Sequence, residues 1–297
     1  MSFSTGDISN LRERTGAGIV DCKKALQESD GDVDKAVELL RQKGIASAAK
    51  KTGKVAAEGA VIAKTNADFS KGVIVELNSQ TDFVAKNEKF QTLLNEIVEI
   101  ALSNNINTID DLKVAKTKTG ETIESLVALK TAEIGEKLDL RRVSVYTAGA
   151  DESIAQYTHP IGSKVAVLVK LKGKNEQVGK DVSMHIAASV PAPDFLDRDQ
   201  IPTETLENEK RIEAGKADLA NKPAEIVDKI VTGRVEKALM EKVLLEQPYI
   251  KNPGQKVKEY LAENKVNVLQ FVRFNLGEGV EKAESNFADE VAAQMRG

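Results

Sequence analysis

Gly72-Val73-Ile74-Val75-Glu76-Leu77, then Asn78-Ser79-Gln80-Thr81-Asp82-Phe83-Val84-Ala85-Lys86-Asn87, carries the chain from a strand period to a helix period. The first six residues are a β-branched run, and Gly59-Ala60-Val61-Ile62-Ala63 precedes them across a polar turn, which predicts a hairpin. Beyond Asn87 the period changes. Phe90, Leu93, Leu94, Ile97, Val98 and Ala101 recur at i, i+3, i+4, i+7, i+8 and i+11, the stripe of an amphipathic helix. Phe83 between them has two readings. It lies about two helical turns before Phe90, so an early helix start would seat it on the core face. Asn87 also reads as a helix start of its own, which leaves 81–86 as a tight turn that offers Phe83 to a partner. Aromatic residues make up only 4% of the chain, so a Phe on a polar turn stands out. Desolvating one such ring is worth on the order of 2–3 kcal/mol, enough for a binding hot spot.

Downstream, a helix is expected around 122–130 and a strand at Arg142-Val143-Ser144-Val145-Tyr146. The pattern then recurs. Ser153-Ile154-Ala155-Gln156-Tyr157 and Lys164-Val165-Ala166-Val167-Leu168-Val169 form a second hairpin, followed by a helix over 176–189 with Val178, Val182, Ile186 and Ser189 on one stripe. Strand, strand, helix occurs twice, roughly ninety residues apart, which predicts two related α+β subdomains. Pro191, Pro193 and Pro202 punctuate the exit. From 203 to 245 the chain is polar and helix-forming, broken at Asn221-Lys222-Pro223, with Leu206 and Ile212 before the break and Ile226, Ile230, Val235 and Leu239 after it. That is an antiparallel helical hairpin. A helix over 257–263, a strand over 268–274 and a terminal helix carrying Phe287, Val291 and Met295 complete the chain.

Upstream, the first fifty residues read as three short helices. Ile8 and Leu11 mark the first, which ends at Thr15-Gly16-Ala17-Gly18. Ile19, Cys22 and Leu26 lie near one face of the second, and Asp32 caps a third with Val33, Ala36, Val37 and Leu40 in period and Gly44 as its stop. Ile19 and Val20 are adjacent, so about 100° of helix separates them and both can hardly enter one small core. A bundle this small suits docking better than an active site. The basic stretch 46–54 reads as a linker that can carry some helix.

Composition narrows the function. With 41% hydrophobic and 30% charged residues, the 297-residue chain is expected to be globular and soluble. No apolar run approaches the roughly 18 residues of a membrane helix. The start lacks a secretion signal, so a cytoplasmic location is expected, with a processed organellar chain as the alternative. Forty-six acidic against 42 basic residues give −4, which argues against direct nucleic-acid binding. Cys22, His159 and His185 are too scattered for a metal site, and no phosphate-binding glycine loop is present. Cys22 reads as a packed core residue, since neither His is close enough in sequence to serve as its base. His185 reads as half-buried with one bonded nitrogen or as an interface residue, and His159 on a turn as structure or contact. No cofactor, no metal and no catalytic residue is expected: the chain grips another protein.

At this point the sequence resembles the bacterial translation elongation factor Ts family, over almost its full length. The resemblance rests on the run from Leu11-Arg12-Glu13-Arg14-Thr15-Gly16-Ala17-Gly18-Ile19-Val20-Asp21-Cys22-Lys23-Lys24 to Ala25-Leu26, and on Asn78-Ser79-Gln80-Thr81-Asp82-Phe83-Val84-Ala85. Met184-His185-Ile186-Ala187-Ala188, Phe271-Val272-Arg273-Phe274 and Gly277-Glu278-Gly279 are similar to later blocks. Ser79 stands where many members have Cys, and the loop after Ser189 is slightly longer than usual. The resemblance implies a ubiquitin-associated-like three-helix module at 1–52 and a core subdomain at 53–148. It implies a second core subdomain at 149–202 plus 246–276, a coiled-coil hairpin at 203–245 and a C-terminal helical module at 277–297. It implies a non-enzymatic guanine nucleotide exchange factor that binds the GDP form of the GTPase elongation factor Tu and speeds GDP release. Thr81, Asp82, Phe83 and Val84 would then form the wedge at the Mg²⁺ and phosphate end of the partner's site. Arg12, Ile19, Val20, Lys23, Ile134, Gly135, His159 and His185 would dock on the partner. The hairpin is a candidate surface for a homodimer. Two other readings compete: a ubiquitin or nascent-chain binder, against which the Thr81-Asp82-Phe83-Val84 segment and the doubled α+β core argue, and an enzyme built on Cys22 or a His, against which the missing base and ligand pairs argue.

Overall fold

The computed structural model describes residues 3–15, 17–50, 53–219 and 223–281. In chain order the elements are α1 (Thr5–Thr15), α2 (Ile19–Glu28), α3 (Val33–Lys50), β1 (Glu58–Thr65), β2 (Lys71–Ser79), α4 (Asp82–Ala85), α5 (Glu88–Ser103), α6 (Ile109–Val114), α7 (Ile123–Ile134) and β3 (Asp139–Thr147). They continue as β4 (Glu152–Thr158), β5 (Val165–Lys172), α8 (Glu176–Ala188), α9 (Thr203–Ala214), α10 (Ala224–Met240), β6 (Pro248–Tyr249), β7 (Asn252–Lys256), α11 (Val257–Glu263) and β8 (Asn267–Asn275). Mixed helices and small antiparallel sheets make this an α+β protein, as the alternating periods predict.

Two three-stranded antiparallel sheets, ordered β1-β2-β3 and β4-β5-β8, pack face to face. The pleat assigns each side chain its layer. On β2, Val73, Val75 and Leu77 face α5 and α7, whereas Ile74 points between the sheets. On β5, Val167, Val169 and Leu171 face α8 and α11, whereas Ala166 and Leu168 meet Val61, Ala63 and Tyr146 across the gap. The central strands are therefore covered on both faces, which is why they read as unbroken apolar runs. Gly72 marks the close approach of the sheets, because a Cβ there would lie 2.5 Å from Ile154 Cγ2. Each sheet carries an irregular register at a matching place, Glu76/Leu77 on β2 and Lys170/Leu171 on β5.

Glu76 is fully buried at one end of the inter-sheet layer. Its carboxylate accepts from Arg141 Nη1 at 3.0 Å, from Arg142 Nε and from the backbone N–H of Gly277 at 2.9 Å. Arg142 also lies 4.1 Å over the Phe274 ring. A buried charge is tolerated only with such compensation. Two guanidinium groups and a backbone N–H supply it and fasten the end of β8 to the first sheet.

The N-terminal helices share a core of Leu11, Cys22, Ala25, Leu26, Ala36 and Leu40. Gly44 does not stop α3, which continues to Lys50 through part of the expected linker. Its role is spacing: a Cβ there would come within 2.9 Å of Leu129 Cδ2 on α7, so the missing side chain lets α3 and α7 pack closely. Arg41 and Glu121 pair at 3.2 Å across the same junction. In the helical hairpin, Val231, Val235 and Leu239 are buried, while Ile212 and Ile226 are exposed rather than part of a continuous stripe. Asn221 and Lys222 of the expected break, Gly16 of the first turn, and the terminal helix of Phe287, Val291 and Met295 lie outside the described residues.

Candidate functional site

The strand β2 ends at Ser79, and the chain turns through Gln80 and Thr81 into α4, a single helical turn. Thr81 caps it by accepting from the Val84 N–H at 3.4 Å, and Asn87 separately caps α5 by accepting from the Lys89 N–H at 2.9 Å. Two caps six residues apart mean two helices, so Phe83 does not continue the stripe of Phe90. The Phe83 side chain is 80% exposed. The core-face reading of Phe83 is thereby corrected.

The turn is held from both sides. Below it, Val84 and Ala85 are buried in the layer between α5 and the first sheet. Val84 therefore anchors the turn, and the expectation that it faces a partner does not fit this placement. At the side, Glu136 accepts the Thr81 N–H at 3.0 Å and the Thr81 hydroxyl at 2.9 Å. On the outer face, Asp82 pairs with Lys86 at 2.7 Å, and Lys86 Nζ lies 5.9 Å from the Phe83 ring centroid. The Lys86 ammonium holds the Asp82 carboxyl below the usual carboxylate range, and the charge of Lys164 adds to the effect. The exposed ring is thus bracketed by an ionised carboxylate and a cation.

Gly135 caps α7 with a left-handed φ of 90°, a conformation that favours glycine, and leads directly into Glu136. Gly135 is exposed, and Ile134 is half-buried against the helix-side core. The turn of Thr81 to Val84 and the Ile134-Gly135 segment, separate in sequence, are therefore neighbours joined through Glu136. Sequence reading missed Glu136. Its position directly after Gly135 was visible, but nothing local linked it to Thr81, 55 residues away.

On the N-terminal module Ile19 is 56% and Val20 64% exposed, with Arg12 and Lys23 also at the surface. Ile19 accordingly leaves the face that buries Cys22 and Leu26. Burial pushes the Cys22 thiol up, away from the thiolate that a nucleophile needs.

The two histidines differ. His159 is half-buried on the loop between β4 and β5, where its Nδ1 accepts the Ile161 N–H at 3.3 Å and its ring meets Tyr157 edge-on. Ile161 beside it is 78% exposed. His185 is only 1% exposed, so the expectation of a docking contact does not fit its position. Its Nδ1 accepts the Ile250 N–H at 3.2 Å, which leaves the proton on Nε2, 3.0 Å from Gln247 Oε1. Gln247 in turn donates to the carbonyls of Pro191 and Glu241 at 2.9 and 2.8 Å. His185 ties α8 to the chain on both sides of β6, with both nitrogens used rather than the one expected. Burial lowers its pKa from the ordinary value.

A groove of about 840 Å³ runs between the edges of β1 and β4, lined by Ile62, Gln156, Tyr157 and Lys174 among others. Phe83, Asp82, Ile19 and Val20 do not line it. Among the described residues, no three His, Cys, Asp or Glu side chains are grouped to hold a metal, and no helix is long and apolar enough to cross a membrane. What the site presents is projecting apolar side chains, Phe83 on its braced turn and Ile19 with Val20 on α2.

The family model described as elongation factor TS matches residues 80–278. Elongation factor Ts of Alkalilimnicola ehrlichii is 43% identical over 297 residues, covering 100% of both chains. Elongation factor Ts of Methylococcus capsulatus and that of Halorhodospira halophila are each 42% identical over 296 residues, covering 100% of this chain and 99% of theirs. The chain belongs to the elongation factor Ts family, a family of translation elongation factors.

Proposed function

We propose that this chain is a guanine nucleotide exchange factor that binds the GDP form of elongation factor Tu in the cytoplasm and accelerates GDP release. The observation that carries this reading is the Phe83 ring, 80% exposed on a turn capped by Thr81 and clasped by Glu136. A protein rarely spends two caps and a carboxylate on holding an aromatic ring in water unless the ring has a partner. Phe83 enters the partner beside its nucleotide site, and ionised Asp82 disturbs the Mg²⁺ and phosphate end. Arg12, Ile19, Val20 and Lys23 dock a second patch on the GTPase, with Gly135 and His159 adding contacts. The division into a three-helix module, two related α+β subdomains and a helical hairpin belongs to the same reading. The matching strand orders and matching register irregularities support descent of the two sheets from one unit.

The mechanism needs no bond-making by this chain. Holding the GTPase in a conformation that coordinates Mg²⁺ and phosphate poorly raises the free energy of bound GDP. Linkage makes the effect reciprocal, so incoming nucleotide expels the factor. Each tenfold in release rate needs about 1.4 kcal/mol, and one inserted ring supplies on the order of 2–3 kcal/mol. That is about two decades, so the docking contacts share the work. The test is stopped-flow release of a fluorescent GDP analogue from elongation factor Tu, with and without this protein. Acceleration that saturates with its concentration supports the reading, and an unchanged rate overturns it.

A further inference from the structure

We propose that Glu136 is a positioning residue of the exchange surface, setting the direction in which Phe83 is displayed. The functional half rests on the exchange-factor reading; the structural half, that Glu136 orders the turn, does not. Four residues of helix cannot hold themselves in water, so α4 takes its orientation from what grips it. The ring contributes little, being mostly in solvent. Val84 and Ala85 fix the underside through apolar contact, which is non-directional. Directional constraints come from Ser79 Oγ, which donates to the Thr81 carbonyl at 2.9 Å, from Gln91 Nε2, which donates to the Ala85 carbonyl at 2.6 Å, and from the half-buried Glu136 carboxylate, the tie to the end of α7, which accepts both Thr81 donors at 3.0 and 2.9 Å. Charge-assisted bonds in such a place are short and strong.

Glu136 is itself placed by a rigid chain of contacts. Gly135 turns the backbone out of α7, and α7 is packed against α3 through Gly44 on Leu129 and through the Arg41–Glu121 pair. The helix presenting Ile19 and Val20, α2, shares one core with α1 and α3. One continuous support therefore runs from the N-terminal patch through α7 to the Phe83 turn, and Glu136 is its last joint. Docking of the first patch would bring the ring in at a fixed height and angle, which is where binding energy becomes barrier lowering rather than affinity.

Two measurements test this. The chain has no tryptophan and four tyrosines, so Phe83→Trp places a single indole at the tip that can be excited at wavelengths the tyrosines do not absorb. Time-resolved anisotropy should then follow whole-molecule tumbling, and adding Glu136→Ala should at least double the amplitude of fast local motion, with Glu136→Gln in between. An unchanged decay overturns the clasp, whatever the partner does. In the exchange assay, Glu136→Ala should lower the maximal GDP release rate about tenfold while the half-saturating concentration stays within twofold. Phe83→Ala combined with Glu136→Ala should be no slower than Phe83→Ala by itself, since Glu136 acts through the ring. Additive losses, or a rate loss matched by lost thermal stability and lost partner binding, overturn the positioning role. Should Phe83→Ala leave exchange intact, the exchange reading falls, and anisotropy still decides whether Glu136 orders the turn.

Discussion

Both donors of Thr81, its backbone N–H and its hydroxyl, end on the carboxylate of Glu136, while its hydroxyl oxygen accepts from the Val84 N–H. One side chain thus closes a helix cap and a long-range clasp together. Thr81→Val keeps the shape but removes the hydroxyl. Urea unfolding should show a loss of about 1–2 kcal/mol, the range of a lost cap plus one charge-assisted bond. Thr81→Ser, which keeps both partners, should stay within about 0.5 kcal/mol of the parent. Equal stability for the valine and serine variants would mean that the clasp is loose in solution.

The N-terminal patch makes a separate prediction. Ile19 and Val20 are exposed and contribute little to the core of Leu11, Cys22 and Leu26. Ile19→Ala combined with Val20→Ala should leave the melting temperature within about 2 °C of the parent, since exposed substitutions change stability little. The dissociation constant for elongation factor Tu should rise at least about tenfold, because two side chains no longer leave water on docking. Titration calorimetry measures this directly. A marked loss of stability with unchanged affinity would make the pair structural.

Glu76 tests the packing of the two sheets. Its removal leaves Arg141 and Arg142 facing each other without the carboxylate that both bind. Glu76→Ala should cost about 3–5 kcal/mol in denaturant unfolding, the range for breaking a buried ion pair from one side. A cost below about 1 kcal/mol would mean that water already screens the cluster.

His185 gives the stability a pH dependence of known sign. Burial depresses its folded pKa below the ordinary value of about 6.5. Below that value the unfolded chain binds a proton that the folded chain refuses, so the contribution is full above about pH 6.5 and declines as the pH falls toward the folded pKa. A proton on Nδ1 would also oppose the Ile250 N–H. Unfolding free energy should fall between pH 7.5 and pH 5.5, and the fall should shrink in His185→Gln. Identical pH slopes in the two proteins would show that other groups carry it.

The fold was legible where the apolar period was strong. The stripe from Phe90 to Ala101 and the paired runs around Ile62, Ile74 and Leu168 predicted their elements and the doubled strand-strand-helix pattern. Asn87 was legible as a helix start, but sequence could not decide between it and a continuous helix, because Phe83 is in phase with Phe90. Tertiary contact with Glu136 settles that locally ambiguous stretch. Gly44 misled because a glycine that ends a helix and one that permits close packing look alike without the neighbour, Leu129. Val84 and His185 lie in motifs of the family resemblance, yet both are buried, so a motif residue can serve the packing beneath a surface rather than the surface itself. The hydrogen-bonded ties of Glu136 and Gln247 left no mark in sequence, since each joins residues more than fifty positions apart.

The most direct measurement compares Phe83→Ala with the parent in stopped-flow GDP release from elongation factor Tu, alongside thermal unfolding of each protein. An exposed wedge predicts an unchanged melting temperature and a release rate lowered by roughly a hundredfold, the equivalent of about 2–3 kcal/mol of ring burial in the partner. A folded Phe83→Ala protein that releases GDP as fast as the parent would contradict the account.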